Sequence, residues 1–363
     1  MNDTARTTIR PLTSIRGFAA LWVYLHHSRN LYAGFGFLKA FVNAGFYGVD
    51  IFFILSGFII THVHRDDFAS WADIKSNLRR FLGLRFWRIY PLHLVTFLLC
   101  VILPVRTIYE PDNATAGDYI RTLLMVHSWV KFSDVFRWNV PSWSVSIEWL
   151  LYLCFPFMAW LVWRHAKGTL ANVFILIAVA CAWVAYLYAV DLEMPYLAWP
   201  GYSVPRGSLD FIMGVALNNL FREGFLKTLP WDALSIACVL GFVGVMWLKS
   251  LNIEVYDIVV LLLSGITIYA LANIRSFGHM LFSNRAVVYL GTISYSIYMW
   301  HWYYMQATWQ HRDVLFHEEA ILSPGFAAKT VVLIGVGALS FHLIENPARK
   351  WGQRLAERRD VKK

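Results

Sequence analysis

Ten apolar runs punctuate this chain of 363 residues, and they constrain its fold before any motif is read. They fall near residues 12–32, 46–64, 86–106, 143–164, 169–190, 206–221, 231–249, 256–274, 286–308 and 326–344. A hydrocarbon core about 30 Å thick asks for about 20 apolar residues per helix, and a helix satisfies its own backbone polar groups where no water can. The balance of residues agrees: 58% are hydrophobic and 15% charged, against about a quarter charged in an ordinary soluble domain. The expected fold is all-α, a polytopic membrane bundle of about ten transmembrane helices.

Basic residues orient that bundle. With the N-terminus inside, the inner segments collect Arg65, Lys75, Arg79, Arg80, Arg85, Arg164, Lys167, Arg222, Lys227, Arg275, Arg285 and the tail from Arg349 to Lys363. The outer stretch 107–118 is acidic instead, with Glu110, Asp112 and Asp118. The positive-inside rule then puts both termini in the cytoplasm. The net charge of +9 is spread over short loops and a tail, which argues against a nucleic-acid partner. Cys100, Cys154, Cys181 and Cys238 sit in four different apolar runs with no CxxC pair, so they read as buried apolar residues and no metal site is expected. The first run is broken by charge and has no convincing cleavage site, so it reads as a retained helix. A single domain over 1–363 is expected, with a cytoplasmic lead at 1–11 and a basic tail at 345–363. The outer segment 107–142 is too polar to span and is expected to lie across the outer mouth, with a short helix around Tyr119 to Val126.

Several spans carry groups that lipid would not tolerate. In RGFAALWVYLHH, the eleven residues from Arg16 to His27 make about three turns plus 20°, so the two side chains share a face about 16 Å apart along the axis. His26 points elsewhere. Counted from the outer ends of their runs, His27, Asp50, Glu148, Asp210 and His301 fall into one band of the outer third. Each buried ionisable group costs about 2.5–3.5 kcal/mol on insertion scales, so five at one depth suggest an interior cavity. Arg16, Arg85 and Arg88 form a contrasting cationic set towards the inner face.

Ordinary structural roles stand beside each of these. Arg85 and Arg88 sit where basic residues snorkel to an interface. His62 and His64, two apart, point to different sides of a helix and read as interface residues rather than joint metal ligands. Asp50 and Asp210 could bond helix to helix, His301 could bond a backbone carbonyl, and Tyr295 and Trp300 could simply pack.

An imidazole beside a carboxylate in a dry cavity is suited to taking a proton from a hydroxyl. Arginines at the opposite opening suit an anion, and an anion with a long thin tail could reach the imidazole. Acyl-CoA has that shape. RGFAALWVYLHH also resembles the Arg-x10-His signature of the acyltransferase family 3 membrane proteins, matched by Arg16 and His27. GVDIFFILSGFII, RFWRIYP, PSWSVSIEW, SLDFIMG, GTISYSIYMWHW and IENPAR resemble further blocks of that family in the same order, from about residue 10 to 350.

The resemblance implies about ten helices, an acyl-CoA donor (acetyl-CoA foremost) at the cytoplasmic side, and transfer to a hydroxyl of a carbohydrate or lipid-linked glycan of the cell envelope. It implies functional weight for Arg16, His27 and the arginine pair matched by Arg85 and Arg88, and a multi-pass inner-membrane location. No permanently bound cofactor is expected. Two departures stand out: His26 fills a position more often aromatic, and no fused SGNH-type domain is seen. The expected scheme has Arg16, Arg85 and Arg88 holding CoA phosphates. His27, oriented by Glu148 or Asp50, acts as base, and Trp143, Ser144, Tyr295 and His301 bind the acceptor or the oxyanion. The alternative from another class is a transporter or proton-coupled exchanger using the same His, Asp and Glu residues as a relay.

Overall fold

The computed structural model describes residues 9–28, 36–103, 114–130, 138–166, 168–190, 198, 201–310 and 323–360, and among them there is no strand. A helix stands at each of the ten apolar runs: α1 (Arg10–His27), α3 (Tyr47–His64), α4 (Trp71–Ile102), α6 (Ser142–His165), α7 (Thr169–Val190), α8 (Ser203–Glu223), α9 (Trp231–Ser250), α10 (Asp257–Asn273), α13 (Ser294–Gln310) and α14 (Pro324–Ser340). Shorter helices fill in as α2 (Gly36–Asn43), α5 (Ala116–Leu123), α11 (Phe277–Phe282) and α12 (Arg285–Thr292). After α14 the chain makes one π-helical turn over Phe341–Glu345 and continues as α15 (Asn346–Asp360). The outer ends of the runs 12–32 and 86–106, and the acidic residues Glu110 and Asp112, lie outside the described residues.

Local chemistry sets the boundaries. Ser70 and Asp73 exchange capping bonds at the start of α4, as Thr115 and Asp118 do for α5, satisfying N–H groups the helix cannot. Gly224, with φ of 72°, ends α8 in the left-handed region. By length and composition, six helical stretches among the described residues can cross a membrane: Gly36–Phe68, Trp71–Ile102, Ser142–His165, Thr169–Val190, Trp231–Ser250 and Pro324–Arg358. Asp257–Asn273 is a shorter apolar helix. The molecule is a multi-pass helical membrane bundle. Cys154 and Cys181 are exposed rather than buried, on helices whose outer faces are apolar.

Hydrogen bonds gather the helix ends into the two sets that the charge pattern anticipates. Towards one end, Arg222 pairs with Asp66, Thr169 with Glu223, and the Asp232 carboxylate accepts from the backbone N–H groups of Arg275, Ser276 and Gly278. Towards the other, Asp257 accepts from the Tyr47 hydroxyl and lies 3.5 Å from Lys249. These are the expected inner and outer ends respectively.

The most extensive contact in the bundle joins α3 to α8. A Cβ at Gly57 would lie 2.1 Å from the Phe211 carbonyl oxygen, and one at Gly214 would lie 2.0 Å from that of Ile54. Glycine alone permits this approach, which is how helices gain packing energy in lipid. Between the same helices lies a buried ion pair. Arg206 donates from Nε to Asp50 Oδ1 at 2.8 Å and from Nη2 to Oδ2 at 2.7 Å, with Arg206 1% and Asp50 0% exposed. Nη2 also reaches the Phe46 carbonyl at 3.3 Å, and the guanidinium lies 5.4 Å from the centre of the Trp143 ring. One turn along α8, Asp210 accepts from Trp183 Nε1 at 3.1 Å. Asp50 and Asp210 thus serve contacts between helices.

Removing one partner of a fully buried pair costs about 3–5 kcal/mol. Asp50→Ala is therefore expected to unfold at markedly lower temperature in detergent than the parent. The double replacement Asp50→Leu with Arg206→Met is expected to recover most of the loss, read from thermal unfolding of the purified protein.

Candidate active site

A cavity of about 70 Å³ opens between α1, α3, α4, α6 and α13. One wall is apolar and comes from α3, including Phe52, Phe53, Ile59 and Ile60. The other is polar: Arg16, Arg85, Arg88, Glu148, Ser144, Tyr152, Tyr295 and Tyr298. The long α4 supplies Arg85 and Arg88 about midway along its length, three residues apart and hence on neighbouring positions of one face. Arg16 comes in from α1, and Glu148 from α6.

Each of these side chains is held. Glu148 Oε1 accepts from Ser56 Oγ at 3.0 Å and from the Tyr152 hydroxyl. The Tyr295 hydroxyl donates to the Ile89 carbonyl at 2.6 Å, fastening α13 to α4 beside Arg88. Arg85 lies over the rings of Phe81 and Tyr152, 5.7 and 5.9 Å from their centres. Arg16 and Arg88 feel each other's charge and those of Glu148 and Glu345. Glu345, buried in the π-helical turn, accepts from Ser296 Oγ at 2.8 Å. Three guanidiniums thus face two carboxylates, and the surplus positive charge suits an anionic guest.

The imidazoles stand apart from that wall. His27 Nδ1 lies 3.0 Å from the Val23 carbonyl and 3.2 Å from His301 Nε2. His301 Nδ1 lies 2.5 Å from the Tyr298 carbonyl. Carbonyls only accept, so each Nδ1 carries a proton, and the lone pairs of the neutral rings fall on Nε2. His301 Nε2 accepts from His27 Nδ1–H, leaving Nε2 as the basic atom of His27. Trp302 packs edge-on against the His27 ring at 5.2 Å. His26 is buried between Phe46, 5.5 Å between ring centres, and the His27 ring itself, which it meets edge-on at 5.3 Å.

Tyr298 connects the two regions. Its carbonyl binds His301, while its hydroxyl lines the cavity, bonded to Ser144 Oγ at 2.8 Å and to the Pro141 carbonyl at 3.0 Å.

Of the residues anticipated from sequence, the structure brings Arg16, Arg85, Arg88, Glu148, Ser144 and Tyr295 around one cavity and joins His27 to His301. It does not bring Glu148 or Asp50 to His27. Glu148 sits among the arginines because α6 begins beneath the outer segment: Ser128 N–H and Trp129 Nε1 bond Ser146 at 3.2 and 2.9 Å, so depth counted from Ser142 is too shallow. Asp50 is given over to Arg206, and Trp143 to the same guanidinium. Ser56, Tyr152, Tyr298, Glu345 and Arg206 went unremarked in the sequence. The spacing of Tyr295, Tyr298 and His301, three residues apart each time, was a legible signal for Tyr298.

A family profile described as "Acyltransferase domain" matches residues 12–342. The acyltransferase MdmB of Streptomyces mycarofaciens is 28% identical, over 96% of this chain and 93% of its own length. The peptidoglycan O-acetyltransferase OatA of Listeria monocytogenes serovar 1/2a is also 28% identical, over 97% of this chain and 58% of its own length. The chain therefore spans little more than half of that second relative. No solved structure matches the chain.

The surplus of guanidiniums gives a direct expectation. ADP at about ten times its dissociation constant adds about 1.4 kcal/mol of stability, raising the thermal midpoint of the purified protein. Adenosine, lacking phosphate, is expected to leave it unchanged, as is ADP with the Arg85→Gln, Arg88→Gln double variant.

Proposed function

Since the chain belongs to the acyltransferase family whose profile covers residues 12–342, and is a membrane acyltransferase, we propose that it moves an acetyl group from cytoplasmic acetyl-CoA to a hydroxyl of a cell-envelope glycan or other exported molecule. The observation that carries this reading is the cavity itself: three guanidiniums on its wall, and at Tyr298 a joint with the His27–His301 pair. The name of the Listeria relative supports O-acetyl transfer to a carbohydrate polymer. That of the Streptomyces relative leaves the acceptor open.

In this scheme the bundle crosses the inner membrane ten times with both termini inside. Arg16, Arg85 and Arg88 take the phosphates of CoA, and the pantetheine arm runs along the apolar face of α3 towards Tyr298. The acceptor comes from the outer side to His27. His27 Nε2 takes the hydroxyl proton as the acceptor oxygen attacks the thioester carbonyl. The tetrahedral oxyanion is met at the far end of the cavity by the Ser144 and Tyr298 hydroxyls, which turn to it from the Pro141 carbonyl they donate to at rest. Its collapse breaks the carbon–sulfur bond, and the CoA thiolate leaves with the proton from the His27 imidazolium. His301 accepts from His27 Nδ1–H and so presents Nε2 to the acceptor, a part the sequence had assigned to a carboxylate. Glu148 acts on the arginines instead, offsetting part of their charge.

Washed membranes given acetyl-labelled CoA test the scheme. The parent is expected to place stable label on glycan or lipid-linked material, and His27→Ala to insert normally yet lose about 10²–10⁴-fold in rate, the usual worth of a general base. His26→Ala is expected to keep activity. Loss in His26→Ala with retention in His27→Ala would overturn the assignment of the base. Solute flux without label would favour a transporter.

A further inference from the structure

The proposed reaction makes no use of His64, the last residue of α3, yet the structure ties it to the cavity. His64 Nε2 lies 2.9 Å from Arg85 Nη2, and its Nδ1 lies 2.8 Å from Asp67 Oδ2. A guanidinium can only donate, so Nε2 must offer a lone pair. An ionised carboxylate can only accept, so Nδ1 must carry the proton. A single neutral tautomer satisfies both bonds. The ring is clasped by Phe81, edge-on at 5.1 Å, and its side chain is 12% exposed while that of Asp67 is 45% exposed. His62, two residues earlier, turns instead towards Phe221, so the pair diverges and only His64 meets α4.

Arg85 gains its orientation from this bond. Its planar group lies over Phe81 and Tyr152, and its Nε–H is buried without a protein partner. A buried donor left unsatisfied costs about 1–3 kcal/mol, which an anionic oxygen entering the cavity would relieve.

We propose that His64 is a positioning residue of the donor site: braced by Asp67, its neutral imidazole fixes the Arg85 guanidinium so that the remaining N–H groups meet the anionic head of the acyl donor. This rests on the acyl-CoA reading given above. The relay is built to be proton-sensitive. Protonating Nε2 would set a donor against a donor and a second positive charge against Arg85. The charged groups that act on His64 are Asp67 on the turn that follows it, and Arg85 and Arg80 on α4; from α6 the neighbour is the Tyr152 hydroxyl beside Arg85. Donor binding should therefore weaken as the pH falls.

The test is calorimetric titration of CoA into the detergent-purified parent, His64→Leu and His64→Gln, each over a series from about pH 7.5 down to about pH 4.5. Glutamine can accept from Arg85 and donate to Asp67 without titrating. The expected result at the higher pH is about tenfold weaker binding in His64→Leu, as for loss of a charge-assisted hydrogen bond, with His64→Gln within about twofold of the parent. On acidification the parent should weaken more than His64→Gln, because the titration of the CoA phosphate is common to both. Should His64→Leu fail to fold, the contrast between parent and His64→Gln across pH still decides. Equal binding by His64→Leu and parent, or the same pH dependence in His64→Gln, would overturn this proposal alone. Absence of CoA binding by the parent would remove the donor reading and this proposal together.

Discussion

A guanidinium cannot sit in the interior of a bilayer protein unless other groups replace the water it loses, and the whole arrangement follows from how that is done. Arg206 is matched one to one by a bidentate carboxylate, with a carbonyl besides, and it serves as a bolt between α3 and α8. Arg16, Arg85 and Arg88 outnumber the carboxylates beside them. Arg16 and Arg88 feel Glu148 and Glu345, while Arg85 feels Glu148, leans over the rings of Tyr152 and Phe81, bonds His64 and keeps a buried Nε–H without a protein partner. The difference between a full match and a partial one separates scaffold from site. An unfinished cationic cluster keeps a standing affinity for an anion.

The scaffold makes that partial match tolerable. Close glycine contacts and the Arg206 bolt hold α3 against α8, giving the cavity one rigid apolar wall. Tyr295 fixes α13 to α4 at the level of Arg88, and the π-helical turn carries Glu345 into the field of the same arginines. π-bulges are often found at functional sites because they re-aim a side chain without breaking the helix. Here the turn lets Glu345 reach Ser296. Beyond the cavity, the imidazole pair is held by the Val23 and Tyr298 carbonyls and by the bond between the two rings, which fixes both tautomers.

How much of this could be read from sequence follows from what a linear pattern encodes. The ten apolar runs give the helices, whereas helical phase alone does not separate His26 from His27, whose rings meet edge-on at 5.3 Å. Counting residues from a helix end gives depth, and depth correctly set His27 level with His301, which touch. Depth carries no azimuth, however. Asp50 and Glu148 were grouped with His27 for their level, whereas the packing turns Asp50 to α8 and Glu148 to the arginines. The offset of Glu148 has a further cause: the outer segment folds over the start of α6, so the helix does not begin at the surface. The spacing of His64 from His62 suits no shared ligand, so the sequence pattern gives His64 no role. Its partner lies 21 residues on, across a helix pair, where no local pattern could reveal it.

The central claim is that one passage joins a phosphate-binding arginine cluster to a proton-accepting histidine. The most direct measurement is an experimental structure of the protein with a non-transferable acetyl-CoA analogue. The account predicts the phosphates against Arg16, Arg85 and Arg88, the arm along α3, and the carbonyl carbon beside Tyr298 within reach of His27 Nε2. A head group bound away from those arginines, or an arm that ends with Tyr298 still walling off the histidine pair, would contradict it.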